Sequence, residues 1–345
     1  MISTRKKQML LYFLRDKNKK KWFQIMKELS TLSYIKKEFP LYYISNLLYR
    51  KNVTNYRDYL SLKQNNTLIN WSISKAKDQI TLVENKLLFE NYLVKNNIPT
   101  AKIFAHNIKN SFTYNGILFE IETKDEFLVF IEIIFKEAGI EQLFCKPIDG
   151  IMGEHIFIIN KSNYHNITDD LIALVLSNSF IFQELIVQHE TLKTINSSSI
   201  NTLRIITYKS IDSEILCGFI RLGREGAIID NAHKGGIAVS FDKDTGKMSA
   251  EGLQLIDNGG GVYNKHPDSS VVFDNFQIPH YNQVKALVTK VSSLFQFPLL
   301  GWDVAITPNG PIIIEVNHNF HLLLSDKMEK GLIKLPCIKK LVESL

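Results

Sequence analysis

Residues 299–317, LLGWDVAITPNGPIIIEVN, constrain the fold more than any other stretch of the chain. Two apolar, strand-like runs, 300–307 and 312–317, flank Thr307-Pro308-Asn309-Gly310. Proline's fixed φ suits Pro308 to the second position of a type I turn, and Gly310 suits the left-handed residue that follows. The stretch therefore reads as a β-hairpin with a three-residue loop closed by a glycine bulge. Loop length decides which face each side chain takes. Pairing Thr307 with Pro311 sets Asp303 opposite Glu315 on one face, whereas a two-residue Asn-Gly turn would put them on opposite faces. Asn317, two residues after Glu315, shares that face, so an otherwise apolar hairpin carries three hard oxygen donors.

Opposed carboxylates on neighbouring strands repel unless something positive lies between them. Mg²⁺ suits the position, because it takes carboxylate and amide oxygens and fills its octahedron with water and phosphate. In this reading the carboxylate face is exposed, and Asp303→Asn or Glu315→Gln leaves the fold intact and relieves repulsion in the metal-free protein. The other reading is a solvated polar face on an ordinary hairpin.

At 345 residues and 45% hydrophobic, the chain is long enough for two or three domains with a sizeable core. No apolar run approaches the roughly 18 residues of a membrane span, and 9–14 is too short for a signal-peptide core. Cys145, Cys217 and Cys337 are far apart and lack metal-ligand spacing. They read as packing residues of a protein in a reducing compartment, the cytoplasm. Charge is unevenly placed: residues 1–80 hold 17 Lys/Arg against 5 Asp/Glu, a net of +12 within a whole-chain net of +6. That front end mixes helical spacing with basic clusters and the aromatics Tyr12, Trp22 and Phe23. It suits peripheral contact with an anionic membrane surface, the other reading being a solvated helical cap; no nucleic-acid partner is expected.

In chain order, residues 1–80 form a basic helical region with breaks near 16–20, Pro40 and 64–66. An α/β stretch follows over 81–187, with one amphipathic helix ending before Pro99, a strand over 101–105, a hairpin turn at Asn115-Gly116 and a helix over 124–138. Strands at 144–146 and 155–159 enclose a loop with Gly150 and Gly153, where backbone amides approach phosphate oxygens and Lys146 supplies positive charge. The loop is neither a Walker A nor a Rossmann fingerprint, and a plain turn is the alternative. Residues 180–190, FIFQELIVQHE, read as a buried strand that turns polar at Gln183-Glu184 and resumes at Leu185-Ile186, offering backbone groups to a planar base; an edge strand is the alternative. Residues 188–345 complete the chain. There Arg204 lies in the β-branched run of 201–209, so its guanidinium must meet an anion, a carboxylate or water. Asn231, His233, Lys234, Gly235 and Gly236 sit at a loop tip with donors and flexible backbone suited to an anionic ligand; His233 reads as a base or as a solvated residue. Helices are expected over 281–295 and 331–345.

Taken together, the wording of SSSINTLRIITY, IIDNAHKGGIAVSFD and LLGWDVAITPNGPIIIEVN resembles the ATP-grasp superfamily, and within it the sugar-transfer-associated ATP-grasp family, over about residues 83–320. The resemblance implies an α+β, ATP-grasp fold of two subdomains gripping ATP, here preceded by the basic helical region. It implies that Lys86 and Lys146 hold ATP phosphates under the Gly150 and Gly153 loop. The backbone around Gln183, Glu184 and Ile186 would read adenine, with Glu190 on the ribose. Asp303, Glu315 and Asn317 would bind Mg²⁺, and Arg204 would face the transferred phosphate. Asn201, Asn231, His233, Lys234, Gly235 and Gly236 would hold acceptor or acylphosphate, with Arg204, Lys146 and Lys234 as the catalytic set. The implied activity is an ATP-dependent carboxylate-amine ligase joining an amino acid to a uronic acid of a surface polysaccharide. A kinase acting on a sugar and a membrane-associated scaffold are the alternatives.

Overall fold

A computed structural model describes residues 4–149, 155–224, 226 and 235–345. It contains two compact units, one of Met1–Asp78, Gln188–Pro311 and Val316–Leu345, the other of Gln79–Val187 and Ile312–Glu315.

The first unit opens with helices α1 (Thr4–Arg15), α2 (Trp22–Lys36), α3 (Tyr42–Ser45) and α4 (Leu62–Ser74). The chain leaves helix after Arg15 and before Pro40, as expected. No break occurs at 64–66. Instead Ser61 and Gln64 form a capping box that starts α4, and Asn65 is buried, accepting from the Leu322 amide at 2.7 Å. These polar residues have fixed partners, which their polarity alone does not reveal. Phe13, Ile25, Leu32, Tyr43, Leu48 and Tyr49 make a local core. Inside it the Glu28 carboxylate accepts from Lys20 Nζ at 2.7 Å and Tyr43 OH at 2.6 Å, so a buried charge is paired.

The second unit holds α5 (Ile80–Glu84), α6 (Lys86–Lys95), β1 (Ile103–Ile108), β2 (Ser111–Tyr114), β3 (Ile117–Glu120), α7 (Lys124–Ala138), β4 (Gln142–Pro147), β5 (Phe157–Asn160), α8 (Asp169–Ser177) and β6 (Phe180–Glu184). The single helix expected before Pro99 is broken at Asn85, whose side chain caps α6 by accepting from the Leu88 amide at 2.9 Å. Asn115 and Gly116 take φ of 50° and 76°, the pair of positive values that a tight β-hairpin needs. The sheet order is β3-β2-β1-β6-β4-β5, so β6 is interior and the edge-strand alternative is excluded. One sheet face, with Phe112, Leu143, Cys145, Phe180 and Phe182, packs on Phe127, Phe130 and Ile134 of α7 and on Ile172 and Val175 of α8. Alternation sends Phe144, Lys146, Ile181 and Gln183 to the other face, where Lys146 pairs in register with Ile181 and Phe144 with Gln183.

The remainder of the first unit contains α9 (Glu190–Lys193), β7 (Leu203–Lys209), β8 (Ser213–Leu222), β9 (Ile237–Phe241), β10 (Met248–Gln254), β11 (Val262–Tyr263), α10 (Tyr281–Ser293), β12 (Leu299–Thr307), β13 (Gly310–Asn317), α11 (Leu323–Met328) and α12 (Pro336–Ser344). Sheet order is β11-β10-β9-β8-β7-β12-β13, with residues 312–315 of β13 counted in the second unit. β12 and β13 are neighbours joined through Pro308-Asn309, with β13 already beginning at Gly310, whose φ of +122° is in the range that favours glycine. On one face of β12, Trp302 Nε1 donates to Thr207 Oγ1 at 2.9 Å, and Ser292 Oγ of α10 reaches the same oxygen at 3.1 Å. The opposite face begins in a core of Leu299, Ile206, Leu216 and Leu322, joined by Leu68 and Ile69 of α4 and by Ile338 of α12. The closing helix is shorter than expected: α12 starts at Pro336, which fits a first helical turn because it has no N–H to lose.

Asp326 ties this unit together. Its buried carboxylate accepts from the amides of Leu60 at 2.9 Å and Leu332 at 2.7 Å. Burial pushes it up to about 7, against those two hydrogen bonds. In urea unfolding at neutral pH, Asp326→Ala should cost roughly 2–4 kcal/mol, because two buried amides lose their acceptor. A carboxyl raised in the folded state favours folding below its unfolded value of 3.8 and loses that contribution as pH rises toward about 7. The stability of the wild type relative to Asp326→Asn should therefore fall between those pH values; a flat difference would contradict the assignment.

Candidate functional site

In the second unit, Lys86 is the first residue of α6, and Lys146 stands on the sheet face turned away from the core. Lys146 is 7% exposed and donates through Nζ to Glu90 Oε1, one turn along α6 from Lys86. Glu90 Oε2 is buried without a hydrogen-bond partner. Burial pushes the Glu90 carboxyl up, opposed by Lys146. Burial also pushes the Lys86 ammonium down, opposed chiefly by the charge of Glu315. Gln183, on the same sheet face as Lys146, is 2% exposed, and its Oε1 likewise has no partner. The sheet thus places Lys146 beside the unsatisfied oxygens of Glu90 and Gln183, with Lys86 one turn from Glu90 on α6, an arrangement suited to a hydrogen-bonding ligand that carries anionic groups.

The stretch expected to read a base departs from expectation. β6 ends at Glu184 rather than resuming, and Leu185 and Ile186 are irregular. The Glu184 amide donates to the Lys102 carbonyl at 2.9 Å, and its carboxylate accepts from the Lys102 amide at 2.8 Å. That amide is committed to the sheet and is not available to a ligand. Glu190 is exposed and pairs with Lys193 at 2.6 Å.

In the first unit, antiparallel register sets Asp303 of β12 directly across from Arg204 of β7. Asp303 is 4% exposed. Arg204 Nη2 donates to Oδ2 at 3.2 Å, and Nε lies 2.5 Å from Oδ1 as an ion pair without hydrogen-bond alignment. Arg221 Nη2 donates to Oδ2 at 2.7 Å, while its Nε and Nη2 also donate to Thr202 Oγ1 at 2.9 and 2.6 Å. Burial pushes the Asp303 carboxyl up, but Arg204 and then Arg221 overcome it and hold the group below the usual carboxylate range. Asn317 lies close by: a side chain at Gly301 would meet Arg204 Nη1 at 3.5 Å and Asn317 Cβ at 3.6 Å. Asn317 Nδ2 is buried without a partner.

The exposed carboxylate face expected of the hairpin is therefore corrected for Asp303. The positive charge that its position demands comes from two guanidiniums. The oxygen chemistry is compatible with Mg²⁺: Asp303 Oδ1 accepts no aligned hydrogen bond, and Glu315 and Asn317 alternate along β13 with further oxygens. Among the described residues no group of three His, Cys, Asp or Glu side chains is placed to hold a metal.

Asn201 is buried, donating through Nδ2 to the carbonyls of Leu192 at 3.1 Å and Asn196 at 2.8 Å, which braces the loop before β7. Gly235 takes φ +98° and its carbonyl accepts from Gln254 Nε2 at 2.8 Å; Gly236 follows it into β9. Gly150, Gly153, Asn231, His233 and Lys234 lie outside the described residues. Sequence reasoning missed Glu90, Thr202 and Arg221. Arg221 meets the criterion that singled out Arg204, a guanidinium inside an apolar strand, and Glu90 sits four residues after Lys86 on one helix.

The family profile described as sugar-transfer associated ATP-grasp matches residues 70–337. None of the curated proteins matches the chain. Similar solved structures include the ATP-grasp ligase PsnB with precursor peptide PsnA2 and AMPPNP, at 10% identity and TM-score 0.43, covering 82% of this chain and 66% of that one. Another is N5-carboxyaminoimidazole synthase from Aspergillus clavatus with ADP and 5-aminoimidazole ribonucleotide, at 11% identity and TM-score 0.41, covering 72% and 49%. A third is D-alanyl-alanine synthetase A from Vibrio cholerae, at 13% identity and TM-score 0.39, covering 74% and 66%. This chain thus spans less than two thirds of the length of each of these proteins.

Asp303→Asn should lower stability by roughly 1–3 kcal/mol in denaturant unfolding, because the half-buried guanidiniums of Arg204 and Arg221 lose the carboxylate between them. Arg204→Ala should cost less, since Asp303 keeps Arg221. An Asp303→Asn protein as stable as the wild type would restore the exposed-face reading.

Proposed function

Since the chain belongs to the sugar-transfer-associated ATP-grasp family, we propose that it is an ATP-dependent ligase that joins a carboxylate to an amine. The observation that carries this reading is Asp303 held between Arg204 and Arg221. A buried carboxylate kept ionised by two arginines supplies both a hard oxygen ligand and fixed positive charge, the two requirements of phosphoryl transfer to an acid.

In this reading Lys86 and Lys146 neutralise phosphate oxygens, and Glu90 fixes the Lys146 ammonium so that little reorganisation is needed. Asp303, Glu315 and Asn317 are the residues that would hold Mg²⁺, which when bound screens phosphate charge. Arg204, oriented by Asp303, presents its guanidinium to the phosphoryl group. The substrate carboxylate oxygen attacks the γ-phosphorus, the bond to ADP breaks, and ADP leaves with the electron pair. The amine nitrogen then attacks the acyl carbon, the acyl carbon–oxygen bond breaks, phosphate departs with that pair, and the nitrogen's proton passes to solvent. The association with sugar transfer in the family's description supports a uronic acid of a surface glycan as the acid and an amino acid as the amine. A lipid-carried glycan would call for an enzyme held at a membrane surface.

Hydroxylamine tests the reaction class. With ATP, Mg²⁺ and a panel of uronic acids, ADP release should require the acid, and hydroxylamine should trap the activated carboxyl as a hydroxamate detected by mass spectrometry. Arg204→Ala should reduce hydroxamate by roughly 10³-fold. A stable phosphate ester with no hydroxamate would replace the ligase by a kinase, and no ATP-dependent product with any acid would favour a scaffold.

A further inference from the structure

Helix α2 turns Ile25, Glu28, Leu32 and Lys36 inward. At about 100° per residue, positions 23, 26, 27, 30 and 34 face the opposite way. A helix lying against water carries polar residues there. In α2 they include Phe23, 81% exposed, Tyr34, 86% exposed, and the exposed Met26, with Lys27 among them and the exposed Lys37 just past the helix end. The one acid of the helix, Glu28, is turned inward to Lys20 and Tyr43, so the outer face carries no negative charge. Trp22 is 61% exposed and leans on Phe13 of α1 at 6.1 Å between ring centroids. Leu10, Leu11 and Leu14 of that acid-free helix are exposed too, beside exposed Lys7 and Arg15.

We propose that the outer face of α2, with the exposed leucines of α1, is a membrane-docking surface that seats on an anionic lipid leaflet. Aromatic rings and leucines with flanking lysines are the composition of a helix that lies in the interfacial plane, where rings enter the acyl boundary and lysines meet headgroup phosphates. Charge complementarity selects the lipid: residues 1–80 hold 17 Lys/Arg against 5 Asp/Glu. Among the described residues no helix is long and apolar enough to cross a membrane, so these helices would lie on the leaflet. The surface uses none of the residues assigned to ATP, and its test is independent of the ligase reading.

The full chain should co-sediment with phosphatidylglycerol and phosphatidylcholine vesicles, much less with phosphatidylcholine alone, and less as salt rises. Phe23→Ser with Tyr34→Ser should weaken partitioning by about tenfold or more, since two rings no longer leave water. Lys27→Glu should weaken it by about fivefold or more. These exposed positions predict unchanged thermal unfolding. Independently of any variant, anionic vesicles should shift Trp22 emission to the blue, with quenching by brominated acyl chains. Absence of binding at low salt, equal binding to both vesicle types, or variants that partition like the wild type would overturn the proposal. So would a soluble dimer abolished by Phe23→Ser without vesicle binding, which would give the face to a second copy of the chain.

Discussion

The carboxylate of Asp303 sits inside a seven-stranded sheet, and its charge is tolerable there because Arg204 meets it from the adjacent strand β7 and Arg221 from β8, the strand beyond. Much of the local architecture serves that condition. Antiparallel register brings Arg204 opposite Asp303, and Arg221 is steadied by Thr202, whose hydroxyl takes two of its N–H groups. Thr202 is placed by a loop that Asn201 braces from within. A one-residue slip of β12 against β7 would carry Asp303 to the face of Trp302 and away from both arginines, so the ion cluster specifies the register together with the apolar alternation.

Elements with strong local signals were legible in the sequence. The hairpin at Thr307-Pro308-Asn309-Gly310, the turn at Asn115-Gly116 and the helix Lys124–Ala138 follow from turn chemistry and 3.6-residue periodicity. The failures share a cause in tertiary partners. Gln64 and Asn65 look like a loop until the capping box and the Leu322 amide are seen. Asp303 looks like half of a repelling pair until Arg204 and Arg221 are seen. The position requires positive charge, and nothing in a single strand says which distant arginines lie alongside to supply it. Glu90 was missed for the same reason, since its partner Lys146 is 56 residues away.

The basic front end shows how composition and structure divide the work. Composition locates the charge, while only the burial pattern reveals that Glu28 is sequestered with Lys20 and that Phe23 and Tyr34 face water. Helices α1 and α2 enclose a well-packed aromatic core at Phe13, Tyr43 and Tyr49, so their outer face is a property of a folded layer.

The central claim is that charge fixed around Asp303 activates a carboxylic acid by phosphoryl transfer. It is tested most directly by following the oxygen. When a substrate acid labelled with ¹⁸O in its carboxyl group is turned over with ATP and its amine, attack on the γ-phosphorus must carry a carboxyl oxygen into the released phosphate, to be read by mass spectrometry or by the isotope shift of the ³¹P resonance. The account predicts labelled inorganic phosphate in step with amide formation. Unlabelled phosphate accompanying amide, or label retained in an acid that has been phosphorylated on a hydroxyl, would contradict it.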